Sequence, residues 1–139
     1  LPVRFIYPAG INIKSRQPLW VLFAQKMWSS GAMEFLINDD KSGIKDVNKI
    51  NVEPWPSSFY IKRVSSHEWN VLTSPRTAAH EIGHLLGLAD EYYETDKRVA
   101  SKNYNRYIGS KSSIMRNVQS GYPQKIHIQF ILIPIKCSH

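Results

Sequence analysis

The sequence predicts one small α+β domain spanning residues 1–139. Its 139 residues are the length of a single domain, and a hydrophobic content of 42% is enough to bury a core. Strand-like and helix-like segments alternate along the chain, beginning with the strand-like residues 3–7 (VRFIY) and an amphipathic helix after them. The longest unbroken apolar stretches have six residues, whereas a bilayer span needs about 20. We therefore expect no membrane-spanning segment.

The first half of the chain predicts strands around one core helix. Pro8-Ala9-Gly10 ends the first strand, and Pro18 can occupy the first turn of the helix that follows. In this helix Trp20, Ala24 and Trp28 recur at helical spacing, together with Phe23 and Met27, up to residues 29–31. We expect these side chains to pack in the core. The short, mostly apolar run over residues 33–37 then precedes a turn predicted over residues 38–43.

The middle of the chain predicts a loop, further strands and a second helix. Residues 54–56 (PWP) predict the loop, and residues 59–64 (FYIKRV) alternate as in a strand. Residues 67–72 either extend that strand or pair with it. Ser74 and Pro75 then predict a helix start, with Ser74 as the N-cap and Pro75 at the first helical position.

That second helix carries the pattern H-E-x-x-H within residues 77–90, TAAHEIGHLLGLAD. On a helix His80 and His84 lie about 40° apart around the axis and about 6 Å apart along it, so their imidazoles can share one metal ion. Glu81 lies about 100° from His80, where its carboxylate can take a proton from the attacking water. The pattern therefore predicts a Zn²⁺ site with His80 and His84 as ligands and Glu81 as general base.

A third ligand is expected from the residues after the helix. Gly87 lies three residues after His84, where glycine readily ends a helix in the left-handed conformation, so the chain can double back and bring Asp90 to the metal. No acid follows Asp96, which excludes a carboxylate from a second, later helix. The remaining alternatives are three nearby acids and one distant histidine, namely Glu91, Glu94, Asp96 and His127. A solvated turn is the simpler interpretation of those acids. The histidines expected to be ordinary surface or hydrogen-bonded residues are His67, His127 and His139.

The full motif at residues 80–90, HEIGHLLGLAD, resembles that of the metzincin zinc peptidases. Most metzincins have His as the third ligand, whereas the small bacterial snapalysin-type enzymes have Asp, as here. The family also has a methionine turn beneath the metal, and Ser113-Ile114-Met115 is similar to it. Compact domains with HExGHxxGxxDEY followed by SIM also occur at the ends of bacterial secreted toxins and effectors, and Asp90-Glu91-Tyr92 resembles that form.

The resemblance implies a zinc endopeptidase and a definite architecture. The implied fold is a twisted, mostly parallel sheet with an antiparallel edge strand beside the cleft, the active-site helix and a C-terminal helix. Residues 126–135 (IHIQFILIPI) are β-branched and alternate at first, whereas Pro123 could begin the implied helix, so this segment stays undecided. Many family members have Tyr two residues after the methionine, where this chain has Asn117. Weak candidates to steady the oxyanion are Tyr92, Tyr93 and Tyr122.

The net charge of +7 is unevenly distributed and does not indicate a specific nucleic-acid partner. Five acids and no Lys or Arg lie within residues 81–96, whereas residues 97–139 contain eight scattered basic residues and no acid. We expect a soluble monomer that acts on a protein or peptide and is secreted or delivered by a secretion system, with a possible inhibitor or immunity protein. Two alternatives remain open. One is a zinc-containing binding module without activity, and the other is a zinc hydrolase of a non-peptide amide.

Overall fold

The protein is described by a computed structural model for residues 1–8, 16–30, 34–39, 47–53, 64–91 and 110–132. Helices and strands are mixed along the chain, as expected for the predicted class. In order they are β1 (Pro2–Ile6), α1 (Gln17–Trp28), β2 (Asn38–Asp39), β3 (Asn48–Glu53), β4 (Glu68–Asn70), α2 (Pro75–Leu85) and α3 (Lys125–Leu132). None of the helices in these ranges is long and apolar enough to cross a membrane.

The strands form one sheet in the order β2-β1-β3-β4. Every strand pair in the described part of the chain is parallel, so the antiparallel edge strand implied by the resemblance is not among them. The predicted strand over residues 59–64 and the loop over 54–56 lie outside the described residues, except for Val64, which is not in a strand. The strand character predicted over residues 67–72 is confirmed in part, because β4 lies within them. Its partner is β3, whereas the partner predicted over residues 59–64 lies largely outside the described residues.

Two strands differ from the sequence-based expectations. The turn predicted from Asn38 is wrong at its start, because the first two residues form β2 and pair with the beginning of β1. β3 was not predicted at all. Only Ile50 and Val52 in it are apolar, and both point into the core, while Asn, Lys and Glu occupy its other positions. Pairing on both sides compensates for the low intrinsic β-propensity of this strand.

The core lies between the sheet and helix α1, as the spacing of the tryptophans predicts. Trp20 and Trp28 are fully buried and Phe23 and Met27 are partly buried against the same core. The ring of Trp20 meets that of Trp69 on β4 edge to face, with centroids 5.3 Å apart. Its Nε1 donates to the backbone carbonyl of Thr73 at 2.8 Å. This contact joins α1 to the end of the sheet from which α2 begins.

Helix α2 begins and ends as the sequence predicts. The hydroxyl of Ser74 accepts a hydrogen bond from the backbone N–H of Thr77 at 3.0 Å, and Pro75 occupies the first turn. At the other end Gly87 has a φ of +91°, the left-handed conformation that reverses the chain. Trp28 of α1 holds the middle of α2, because its Nε1 donates to the carbonyl of Ala79 at 2.8 Å.

The segment left undecided between strand and helix is helical over α3 (Lys125–Leu132). The helix begins two residues after Pro123, which leaves the backbone of the proline outside the helical hydrogen-bond ladder. Ile128 and Ile131 pack against the core from this helix. Residues 133–135 of the same prediction lie outside the described residues.

Beneath α2 lies the segment that resembles a methionine turn. Met115 is fully buried. A Cβ placed on Gly83 would lie 2.5 Å from Sδ of Met115 and 2.8 Å from Cζ2 of Trp28. Only glycine therefore lets α2 approach this turn so closely. The H-E-x-x-H pattern leaves the position of Gly83 open, so the pattern alone does not require the glycine that this contact needs.

We predict that Gly83→Ala destabilises the protein by about 1–3 kcal/mol through overpacking, although Ala is usually favoured over Gly in a helix by about 1 kcal/mol. Urea unfolding of the metal-free protein measures the change. The same substitution should cost less in a Met115→Ala background, because the nearest obstructing atom is then gone. A higher stability of Gly83→Ala than of the wild type would contradict this packing.

Candidate metal centre

The two histidines of the H-E-x-x-H pattern meet on one face of α2. Their Nε2 atoms lie 3.2 Å apart, and the rings of His80 and His84 are nearly perpendicular, with centroids 4.7 Å apart. His80 is buried, and the side chain of His84 keeps 23% of its surface exposed. The site is therefore closed on the core side and open on the side of His84.

Asp90 reaches the same point from outside the helix. After the reversal at Gly87, the backbone N–H of Leu88 donates to the carbonyl of Gly83 at 3.1 Å, so the chain turns back along α2. Oδ1 of Asp90 then lies 3.1 Å from Nε2 of His80 and 3.2 Å from Nε2 of His84. The sequence-based expectation that the chain doubles back to bring Asp90 beside both histidines agrees with this geometry.

The three atoms form a nearly equilateral triangle of the size that a zinc ion requires. Its edges measure 3.1, 3.2 and 3.2 Å. A tetrahedral Zn²⁺ with ligands at about 2.0–2.1 Å separates neighbouring ligand atoms by about 3.3 Å. Two imidazole nitrogens, one carboxylate oxygen and a free fourth position are also a donor set that suits catalytic zinc. The residues present therefore fit this ion.

Backbone carbonyls orient both imidazoles. Nδ1 of His80 lies 2.9 Å from the carbonyl oxygen of Ile114, and Nδ1 of His84 lies 2.8 Å from that of Leu88. A carbonyl only accepts, so each Nδ1 carries the proton and donates it. In the neutral rings the lone pairs on Nε2 then face the centre of the triangle, as a metal ligand requires.

Glu81 lies beside the triangle on the same helix. Its carboxylate and the two imidazoles each offer one ligand atom within 4.8 Å of the others. The residue is 7% exposed, so the carboxylate is largely removed from bulk water. Oδ1 of Asp90 lies 3.1–3.2 Å from both Nε2 atoms. This arrangement suits Asp90 as ligand and Glu81 as base.

The electrostatics of the metal-free site reflect the same contacts. Burial alone would raise the pKa of Asp90, but hydrogen bonds and attraction from His80 and His84 in their protonated form outweigh it and hold the pKa well below the usual range. Burial opposes protonation of His84, yet its pKa is raised, because Asp90 and the carbonyl of Leu88 stabilise the imidazolium. A cation is thus favoured at the centre of the site, whether a proton or a metal ion.

The other acids and histidines of the sequence lie in different surroundings. The solvated turn expected at Glu91 is wrong, because Glu91 is buried and its Oε1 lies 2.7 Å from Nε2 of His127. His127 is hydrogen-bonded, as expected, although it is also buried. His67 is an exposed residue whose Nδ1 lies 2.9 Å from the carbonyl of Lys49. Outside the described residues lie Glu94, Asp96 and His139.

Of the three tyrosines that are candidates to steady the oxyanion, Tyr122 lies in the described part of the chain, and Asn117 occupies the position where many family members have Tyr. Oδ1 of Asn117 accepts backbone N–H bonds from Gln119 and Ser120, so this side chain caps its own turn. Tyr122 is 59% exposed and its ring packs under the guanidinium of Arg76, 5.3 Å from the ring centroid. Tyr92 and Tyr93 lie outside the described residues.

Sequence reasoning missed the pairing of Glu91 with His127. These two residues are 36 positions apart, and neither belongs to a recognisable local motif. The sequence offered one signal, which is that Glu91 directly follows the expected ligand Asp90. That position did not distinguish a buried acid from a solvated one.

Comparisons of this chain with protein-family models, with curated proteins and with solved structures found no match.

We predict that Asp90→Asn destabilises the metal-free protein most between about pH 4 and pH 6.5. Because the pKa of Asp90 is lowered in the folded state, its carboxylate stabilises the fold above its unfolded-state pKa, and this contribution is lost as the pH falls. Because the pKa of His84 is raised in the folded state, its imidazolium stabilises the fold below its unfolded-state pKa, and this contribution is lost as the pH rises. Both contributions are present only in the window between these limits.

Urea unfolding in the presence of a chelator, at about pH 5.5 and about pH 8, measures the difference. Glu34→Gln is the matched control, because Glu34 is exposed and should show no such window. A destabilisation by Asp90→Asn that grows steadily up to pH 8 would contradict the attraction between the Asp90 carboxylate and the protonated imidazole of His84.

Proposed function

We propose that this protein is a zinc-dependent endopeptidase in which His80, His84 and Asp90 bind the metal and Glu81 is the general base. The observation that carries the proposal is the convergence of two Nε2 atoms and one Oδ1 atom into a triangle with edges of 3.1–3.2 Å. Three protein ligands leave one position of a tetrahedral ion for water or substrate, which is the arrangement of a catalytic rather than a structural site. When bound, zinc supplies a Lewis acid that polarises the substrate carbonyl and lowers the pKa of water.

Glu81 is suited to move the proton in this reaction. It follows His80 directly on α2, about 100° further around the helix axis, and its carboxylate offers an atom within 4.8 Å of a ring nitrogen of each imidazole. A carboxylate in this position accepts a proton from the attacking water and then donates it to the leaving amine. Its burial strengthens these electrostatic interactions, because little bulk water screens them.

The resemblance to the metzincins supports a peptide bond as the target. The motif with Asp90 in the third position and the turn at Met115 agree with the snapalysin-type variant of that family. Met115 packs directly beneath Gly83 of the helix that carries the ligands. We further propose a protein or peptide substrate and a secreted or secretion-delivered enzyme, as that resemblance implies.

We predict that Glu81→Gln retains about one zinc per chain and lowers the cleavage of an unstructured protein such as casein by at least about 100-fold. The amide keeps the shape of the carboxylate but cannot accept the proton. Elemental analysis and a cleavage assay on the same preparation measure both properties. Glu34→Gln, at an exposed position, is the control for the substitution itself and should leave both unchanged.

We predict that His84→Ala loses both zinc and cleavage, because it removes one corner of the ligand triangle.

Cleavage that survives in Glu81→Gln would refute the assigned base. Zinc without cleavage in the wild type would instead favour the binding module or a hydrolase of another amide. A wild-type protein that binds no zinc would refute the site altogether.

A further inference from the structure

Glu91, the residue next to Asp90, is held from two directions. Its backbone N–H donates to the carbonyl of Met115 at 2.9 Å. Its Oε1 accepts a hydrogen bond from Nε2 of His127 at 2.7 Å. Glu91 and His127 are buried, with 8% and 3% of their surface exposed. Buried hydrogen bonds to a carboxylate at this distance are among the stronger ones in proteins.

His127 is itself oriented before it meets Glu91. Its Nδ1 accepts the backbone N–H of Gln124 at 3.0 Å, so that nitrogen carries no proton. The proton of the neutral imidazole therefore lies on Nε2, which donates to Glu91. The ring also packs against Trp28, with centroids 6.2 Å apart. The start of α3 thus presents one fixed donor to the chain beside the candidate metal centre.

The contacts of Glu91 and Leu88 place Asp90 between two anchors. On one side Leu88 donates its N–H to the carbonyl of Gly83 and accepts a hydrogen bond from Nδ1 of His84. On the other side Glu91 is bonded to Met115 and His127. Only Ala89 and Asp90 lie between these anchors. The position of the Asp90 carboxylate therefore depends on both ends of a very short span.

We infer that the Glu91–His127 pair is a positioning device that holds Asp90 in the ligand triangle. This inference rests on the proposed zinc site and assigns it two residues outside the ligand triangle. His127 holds the side chain of Glu91 and the carbonyl of Met115 holds its backbone N–H, so the pair acts through the backbone that joins Glu91 to Asp90. Restraining a ligand before the metal arrives lowers the ordering cost of binding, and partners of this kind typically change metal affinity 10- to 100-fold.

The test is the zinc dissociation constant, measured by competition with a chromogenic chelator for the wild type, His127→Phe and His127→Gln. Phe keeps a ring against Trp28 but has no donor, and Gln keeps a donor for Glu91. We expect His127→Phe to weaken zinc binding about 10- to 100-fold and His127→Gln to recover most of the loss. Thr73→Val is the matched control, because it removes another buried hydrogen bond, from the N–H of Asn70 to Oγ1. It should leave the zinc affinity unchanged.

A double-mutant cycle with Asp90→Ala distinguishes positioning from general loosening of the fold. If His127 acts through Asp90, His127→Phe should change the zinc affinity by less than about twofold once Asp90 is removed. An equal loss in both backgrounds would overturn the positioning role. Thermal unfolding with a chelator present checks that each variant is folded, and Glu91→Leu, which removes the acceptor of the hydrogen bond from His127, replaces His127→Phe in the cycle if the latter fails to fold.

The outcomes also separate this inference from the proposed function. Zinc binding by the wild type with unchanged affinity in both His127→Phe and Glu91→Leu would overturn the positioning role and leave the zinc site intact. A wild-type protein that binds no zinc would overturn the proposed function, and the positioning role with it.

Discussion

The candidate site depends on holding three electron-rich atoms within 3.2 Å of one another. In the neutral rings the lone pairs of His80 and His84 and the charge of Asp90 all face one point, and this arrangement is unfavourable without a cation. The free energy that maintains it must come from other contacts. Carbonyl groups of Ile114 and Leu88 orient the two rings, so contacts within the protein set the direction of both imidazoles. Such preorganisation reduces the cost of binding.

One short turn contacts nearly every part of this arrangement. The carbonyl of Ile114 accepts from His80, and the next carbonyl, that of Met115, accepts from the backbone of Glu91. The side chain of Met115 lies against Gly83, beneath the helix that carries both histidines. The turn thus supports one imidazole directly and restrains the chain beside Asp90. Its methionine fills the space that a glycine in α2 leaves open.

The tryptophans of α1 connect this site to the sheet. Trp20 packs on Trp69 of β4 and bonds to the chain just before α2, whereas Trp28 bonds to α2 itself. Each indole combines a large buried apolar surface with one hydrogen bond to a backbone carbonyl. Trp28 also packs against His127 of α3. One helix therefore aligns the sheet, the helix with the two histidines and the C-terminal helix.

The sequence by itself determined the local parts of the site. The cap at Ser74, the spacing of His80 and His84 and the reversal at Gly87 follow from helix geometry and from the conformational freedom of glycine, which act within a few residues. Only the tertiary structure decided the unpredicted strand β3 and the burial of Glu91 against His127. These depend on contacts between distant segments, 36 residues apart for that pair, and no local periodicity encodes such contacts.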